Sequence, residues 1–135
     1  MKNTKTVLAL ALAGLISVSN AVLAGGFMPA DAVTKLFSGK TANGQHLKKG
    51  FSYKVYFNAN GKFVQARNDG SRLVGTWRVK GNGAHCIQFS HKNREFCRKV
   101  RDDGNGTYIK VKKKGFGKKV DVVKLWNFVP GDKTK

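Results

Sequence analysis

A run of lysines near the C-terminal end is the densest group of charged side chains in the sequence. Residues 110–119 contain six lysines around the triplet Gly115-Phe116-Gly117. Such a cluster attracts phosphate, sulfate and carboxylate groups, and an exposed ring at its tip would stack on a base or enter a lipid interface. It is also typical of a solvated hairpin whose lysines prevent edge-to-edge association. The predicted anion-binding residues are Lys110, Lys112, Lys113, Lys114, Phe116, Lys118 and Lys119.

The acidic and histidine residues do not form a recognisable catalytic set. The seven acids lie singly or at turns, and Asp121, within a lysine-rich strand, is expected to be a charge partner. His46, His85 and His91 lack a repeated metal-ligand spacing. No G-x-S-x-G motif of a serine nucleophile is present. The sequence therefore predicts a protein that is not an enzyme, with no cofactor and no metal site.

The two cysteines, Cys86 and Cys97, lie on either side of a short turn. With a four-residue turn, Cys86 lies opposite Cys97 and Ile87 lies opposite Phe96. Directly opposite residues on antiparallel strands have the separation that a disulfide needs. A metal site would need further ligands, for which two histidines are near enough in sequence. We favour the disulfide, because an even pair in an exported domain is typical of one.

The first 24 residues have the layout of a secretory signal peptide. Two lysines precede the uncharged apolar run Val7–Val18, and Val22-Leu23-Ala24 places compact residues before a cleavage site. The apolar run is too short to cross a membrane, and no run of that length follows it. We therefore expect cleavage near Ala24, a periplasmic or secreted location, and a mature chain, residues 25–135, without a transmembrane segment.

The charge balance is strongly basic. Removal of the two lysines in residues 1–24 lowers the formal charge from +19 to +17. The electric field of such a charge attracts anions. The alternative interpretation is that the charge only keeps the protein soluble. Most of the excess is lysine, which favours diffuse attraction over bidentate phosphate recognition. A second basic group, whose position relative to the 110–119 run the sequence leaves open, comprises Arg94, Arg98, Lys99 and Arg101.

The elements that must position these residues are mostly strands. Pro29 and Gly39 bound an amphipathic segment that predicts one short helix. Turn signals then alternate with β-branched and aromatic runs. The predicted strands lie near 52–58, 62–68, 72–80, 84–90, 94–101, 107–113 and 119–128, with a weaker one near 40–46. The expected fold is a single small, mostly β domain: an antiparallel meander of about seven to eight strands, forming a small barrel or a curled sheet, with one short N-terminal helix.

The alternation of apolar and polar residues gives each strand one buried face. In the last strand, Val120 and Val122 fall out of phase with Val123 and Leu125, which predicts a bulge or bend. Aromatic residues at alternate positions are candidates either for plain core or for the lining of a small-ligand site. These residues are Tyr53, Tyr56, Trp77, Tyr108 and Trp126.

The order of short motifs resembles a family of small exported bacterial proteins catalogued as a domain of unknown function. The similarity covers roughly residues 30–128 and includes both cysteines. It is carried by Leu36-Phe37-Ser38-Gly39-Lys40-Thr41, Tyr56-Phe57-Asn58-Ala59-Asn60-Gly61, Gly75-Thr76-Trp77-Arg78-Val79 and Asp102-Asp103-Gly104-Asn105-Gly106-Thr107-Tyr108. The resemblance implies a small calycin-like antiparallel sheet or barrel in the cell envelope, and it carries over no catalytic residues to this sequence. The lysine density here departs from the usual member of that family.

These observations favour a non-catalytic exported binding protein with affinity for anionic polymers or surfaces. The expected partners are lipopolysaccharide, nucleic acid, acidic glycans or acidic lipid, attracted mainly through counterion release. Two alternatives stay open: a lipocalin-like carrier or sensor of a small ligand, and an inhibitor of an acidic envelope hydrolase.

Overall fold

The chain folds into a closed antiparallel barrel with one short helix. The computed structural model describes residues 26–135, so the predicted leader, residues 1–24, lies outside the described residues. Each strand pairs with the next, and the last pairs with the first. The helix is α1 (Ala30–Phe37), and the strands are β1 (Lys40–His46), β2 (Ser52–Phe57), β3 (Lys62–Arg67), β4 (Arg72–Val79), β5 (His85–Phe89), β6 (Phe96–Asp102), β7 (Tyr108–Lys113) and β8 (Lys119–Pro130).

The predicted mostly β meander is confirmed. Of the two predicted forms, a barrel or a curled sheet, the structure is a closed barrel. The weakly predicted strand near 40–46 is β1, which supplies the edge to which β8 returns. β6 begins at Phe96, two residues later than predicted, because residues 90–95 form a longer turn. The short helix lies where the sequence places it, between Pro29 and Gly39.

The core lies at the end of the barrel that α1 covers. Val33 and Phe37 project from the helix and are fully buried. The Phe37 ring stacks on His85 with centroids 4.0 Å apart and meets Phe57 edge-on at 5.1 Å. Apolar residues at alternate strand positions complete this packing, as a barrel requires. Side chains therefore fill this end of the barrel.

The pairing of β8 contains two irregularities. Lys110 pairs with Val123 and Val111 with Asp121, so Val122 is an extra residue. This is the bulge that the phase change of the valines predicts. A second irregularity opposite β1 includes Asn127, whose φ of 55° is left-handed. Bulges increase local twist and bend a strand, which suits the curvature of a closed barrel.

The β5–β6 hairpin carries the predicted disulfide. Cys86 and Cys97 are directly paired and bonded to each other, with Cα atoms 4.0 Å apart. Ile87 lies opposite Phe96, so the predicted register is also correct. Because both sulfurs are in the disulfide, neither thiolate is available to a metal.

The described part of the chain contains no helix with the length and hydropathy of a membrane span. In an up-and-down barrel, alternate loops lie at the same end. The β1–β2, β3–β4, β5–β6 and β7–β8 loops therefore share the end opposite α1.

Candidate functional site

The end of the barrel opposite α1 is open and contains a cavity of about 540 Å³, which we call the barrel-mouth cavity. This volume is within the range of about 300–1,000 Å³ that small-molecule sites occupy. Inward-facing side chains near the strand ends form its wall, and loop residues form its rim. The lysines and arginines in its lining are Lys48, Lys49, Arg67, Lys92, Arg94, Arg98, Lys110, Lys112 and Lys114.

The positive charge of this cavity is not neutralised by the residues around it. Asp121 is the one carboxylate among the described lining residues. It is already engaged, because both its oxygens accept hydrogen bonds from Arg101, at 3.1 and 3.0 Å. Within residues 26–135, salt bridges involve only Arg78 and Arg101 among the cations. A recess with low-dielectric walls and one sign of charge concentrates its field on an entering anion.

Arg67 is the inward-facing residue at the end of β3. It is in phase with Phe63 and Gln65, both of which are buried inside the barrel. Its Nε donates a 2.8 Å hydrogen bond to Gln65 Oε1, and its guanidinium lies 4.2 Å from the centroid of the Phe51 ring. These contacts hold the guanidinium in one orientation, since Arg stacks well on aromatic faces.

Arg98 lies across the cavity on β6, beside Phe96. Its guanidinium is 5.7 Å from the Phe96 ring centroid, and that of Arg94 is 4.8 Å from the same ring. Burial lowers the pKa of Arg98, and the charge of Arg94 adds to the effect. Arg98 is therefore partly desolvated and has no carboxylate partner among the described residues. Desolvating this charge costs free energy, and a bound anion would offset that cost.

His46 is the titratable group at the end of β1, on the wall of the cavity. Its ring lies 5.2 Å from the Phe51 ring, and its Nδ1 accepts a hydrogen bond from the backbone N–H of Lys49. Burial lowers its pKa, followed by the charges of Lys49 and Arg67. The neutral form is favoured, so the arginines and lysines supply the charge of the cavity.

The deepest basic residue of the cavity is Lys110. Its side chain is only 5% exposed, and its Nζ lies 2.9 Å from Nδ1 of His85. Burial lowers the pKa of Lys110 to about 7, and the charge of Arg98 contributes to this shift. His85 is fully buried, and its pKa is well below the ordinary value because of burial and then Lys110.

The residues predicted as one basic surface divide between two locations. Lys112 and Lys114 line the barrel-mouth cavity. Lys110 requires a correction: because it faces the barrel interior in phase with Tyr108, it is buried and belongs to the floor of the cavity, outside any surface cluster. The exposed part of the predicted cluster consists of Lys113, Lys114, Phe116, Lys118 and Lys119, so Lys114 belongs to both locations.

The second basic group and the candidate aromatic residues divide in the same way. Arg94 and Arg98 share the cavity with Lys112 and Lys114, whereas Lys99 contacts Phe27 on the outside. Of the five aromatic candidates, only Tyr53 lines the cavity, and burial raises its pKa. The side chains of Trp77 and Tyr108 pack in the core. Tyr56 and Trp126 occupy strand positions next to buried residues.

Sequence reasoning missed the cationic residues contributed by the other loops. A signal was nevertheless present, because Arg67 and Arg98 occupy apolar-phase positions of their strands. Alternate loops of a meander also lie at one end, which groups the basic residues of four separate loops. The missed cavity residues include His46, Lys48, Lys49, Phe51, Arg67, Phe89, Lys92 and Phe96.

The comparisons with known proteins add nothing to this geometry: no protein-family model matches the chain, and no curated protein matches it significantly in sequence.

Proposed function

We propose that the protein is a non-catalytic binding protein that takes a compact anionic ligand into the barrel-mouth cavity. The observation that carries the proposal is a recess of about 540 Å³ lined by nine lysines and arginines, whose one described carboxylate is held by Arg101. Unpaired cations in a partly desolvated recess favour an anion that replaces their lost hydration.

The proposed ligand combines negative charge with an aromatic or apolar part. Between the cations, the wall of the cavity presents the rings of Phe51, Phe89 and Phe96 and the apolar side chains of Leu73 and Ile87. Mixed walls of this kind orient a ligand through a few charged contacts and desolvate the rest of its surface. These features support the small-ligand alternative from the sequence analysis, with the ligand specified as an anion.

The first test compares two fluorescent probes that share their ring system. Anilinonaphthalene sulfonate carries one negative charge, and N-phenyl-1-naphthylamine carries none. We expect the sulfonate to bind at least about tenfold tighter, since a charge-assisted hydrogen bond contributes about 1.5–3 kcal/mol. Its affinity should fall between about 0.05 and 0.3 M salt. Equal affinity for the two probes would reject the proposal.

The location is tested by two double variants that remove the same charge. Arg67→Gln with Arg98→Gln changes the cavity, and Lys113→Gln with Lys118→Gln changes the exposed hairpin. The cavity variant should weaken sulfonate binding by about tenfold or more and leave the uncharged probe unaffected, whereas the surface variant should change it by less than about threefold. Equal weakening by both variants would mean that net charge alone attracts the probe. Melting curves of both variants establish that each is folded.

A second candidate function is docking on anionic lipid through the 113–119 tip. Phe116 is fully exposed with a φ of 61°, at the end of the β7–β8 hairpin. Lys113, Lys114 and Lys118 surround it on the exposed tip. An aromatic ring among lysines is suited to the boundary between headgroups and acyl chains.

Vesicle sedimentation distinguishes this second candidate from the first. Phe116→Ser should lower binding to phosphatidylglycerol vesicles by at least about threefold, with phosphatidylcholine vesicles as the uncharged reference. Val74→Ser is the matched control, because Val74 is also an exposed apolar side chain. If Phe116→Ser and Val74→Ser behave alike, the tip does not enter the bilayer.

A further inference from the structure

The amine at the floor of the cavity has an unusual set of neighbours. The Nζ of Lys110 lies within hydrogen-bond distance of one described group, Nδ1 of His85 at 2.9 Å. No described carboxylate forms a salt bridge with it. Buried lysines are normally paired with acids, because a lone ammonium loses its hydration without compensation. The Lys110 site therefore favours the neutral amine.

The protonation state follows from this environment. Burial, and then the charge of Arg98, lower the pKa of Lys110 to about 7. About half of such an amine is unprotonated at pH 7, against less than about 0.1% of an ordinary lysine with a pKa near 10.4. A desolvated lysine beside another cation is a nucleophile towards carbonyl carbon.

His85 completes the arrangement. Its ring is stacked between Phe37 at 4.0 Å and Trp77 at 5.6 Å, and its Nε2 has no described partner. Burial keeps the imidazole neutral by lowering its pKa. In the tautomer with hydrogen on Nε2, Nδ1 accepts a hydrogen bond from Lys110 Nζ. The nitrogen lone pair of the lysine then stays free.

We propose that Lys110 is a reactive amine that forms an imine with a small anionic aldehyde or 2-oxo acid in the barrel-mouth cavity. The anionic class of the substrate rests on the proposed function, because Arg67, Arg98 and Lys112 line the same cavity. The reactivity of the amine itself rests on the burial of Lys110, its contact with His85 and the nearby charge of Arg98.

The reaction balances without an oxidant or a reductant. The lone pair of Nζ attacks the carbonyl carbon, and the carbonyl π electrons move to oxygen. One Nζ proton moves to that oxygen, which gives a carbinolamine. The second Nζ proton leaves with the hydroxyl group as water, and the C=N bond of the imine forms. One water is released for each imine.

The test traps the imine in the unaltered protein. Glyoxylate is added with cyanoborohydride at pH 7, and labelled lysines are identified by peptide mass spectrometry. We expect the initial labelling rate of Lys110 to exceed that of the exposed Lys113 by at least about tenfold, since the thousandfold gain in free amine is partly offset by lower basicity. The free-amine fraction of Lys110 should level off above about pH 8, about one unit above its pKa of about 7. Labelling of Lys110 no faster than Lys113 would overturn the proposal.

A second probe separates this proposal from the proposed function. Glycolaldehyde has a similar size and no charge. Suppose that both probes label Lys110 faster than Lys113, and that glyoxylate is not preferred over glycolaldehyde. This result would support the reactive amine and contradict the anion site. Slow labelling by both, with sulfonate binding intact, would overturn only the reactive amine. Lys110→Met should abolish the fast label and leave the rate at Lys113 unchanged.

Discussion

The Nζ atom of Lys110 lies 2.9 Å from Nδ1 of His85 inside the barrel. Both residues are bases, both are buried, and burial lowers the pKa of each. Neighbouring like charges in a medium of low dielectric repel strongly, so the doubly protonated pair is the least favourable state. This relationship makes the stability of the barrel depend on pH.

Stability should increase between about pH 7 and pH 9. The pKa of Lys110 falls to about 7 on folding, against about 10.4 in an unfolded chain. The unfolded state therefore binds more protons in this window, and the free energy of unfolding rises with pH by at most about 1.4 kcal/mol per pH unit. Urea denaturation at several pH values measures the slope.

The matched control for this slope is Lys110→Met, which keeps an unbranched side chain of similar length. We expect a much smaller slope between about pH 7 and 9, because the variant lacks this amine. The slope that is left near pH 7 comes from His46 and His85, whose pKa values are also lowered by burial. Glu95, Asp69 and Asp132 have lowered pKa values and do not titrate in this range. An unchanged slope in the variant would show that another group is responsible.

A side chain at position 75 should disrupt the contact between β4 and β5. A Cβ on Gly75 would overlap the carbonyl oxygen of Gln88 and lie 2.7 Å from the Phe63 ring. We expect Gly75→Ala to lower the free energy of unfolding by about 2–4 kcal/mol. A Cβ on Gly81 would meet no atom within 4 Å, so Gly81→Ala should change stability by less than about 0.5 kcal/mol. Urea denaturation of the two variants makes the comparison, and equal losses would contradict it.

Removal of the disulfide should destabilise the barrel. The bond between Cys86 and Cys97 closes a loop with a sequence separation of 11 residues, which corresponds to about 2–3 kcal/mol in the chain-entropy treatment. The double variant Cys86→Ala, Cys97→Ala should lose this amount in urea denaturation. Adding reductant should destabilise the wild type and leave the variant unchanged; equal sensitivity would contradict the expectation.

Replacing Phe116 by glycine should relieve backbone strain at the hairpin tip and raise the stability of the barrel. The same change should weaken binding to anionic lipid. Phe116 has a φ of 61°, which costs an L-residue about 1 kcal/mol, and it makes little packing contact because it is fully exposed. Phe116→Gly should therefore raise the free energy of unfolding by up to about 1 kcal/mol. The same variant should bind phosphatidylglycerol vesicles less well. A loss of stability would mean that the ring packs on the hairpin in solution.

The predicted export is tested by the mass of the protein recovered from cells. Expression of the full chain in a bacterium with an export pathway should yield a product that begins at Gly25, in the periplasm or the medium. Replacing Leu10 and Leu15 with Lys should interrupt the apolar run and retain the uncleaved chain in the cytoplasm. Cleavage at another site or retention of the wild type would contradict the prediction.

Local patterns in the sequence were enough for much of the fold. Alternation and turn residues predicted the eight strand positions, the bulge near Val122 and the short helix. The spacing of Cys86 and Cys97 predicted their bond and the register of their hairpin. These features depend on neighbours within one hairpin, where chain geometry allows few alternatives.

The closure of the barrel and the cavity depended on tertiary structure. Pairing of β1 with β8 joins residues about 80 positions apart along the chain, and no local pattern specifies that contact. The sequence grouped Lys110 with Lys113 because they are near each other in the chain. The barrel separates them, since alternate residues of a strand face opposite sides and only one side is enclosed. Closure buries Lys110 beside His85 and brings Arg67 and Arg98 into one recess, and this enclosure determines their chemistry.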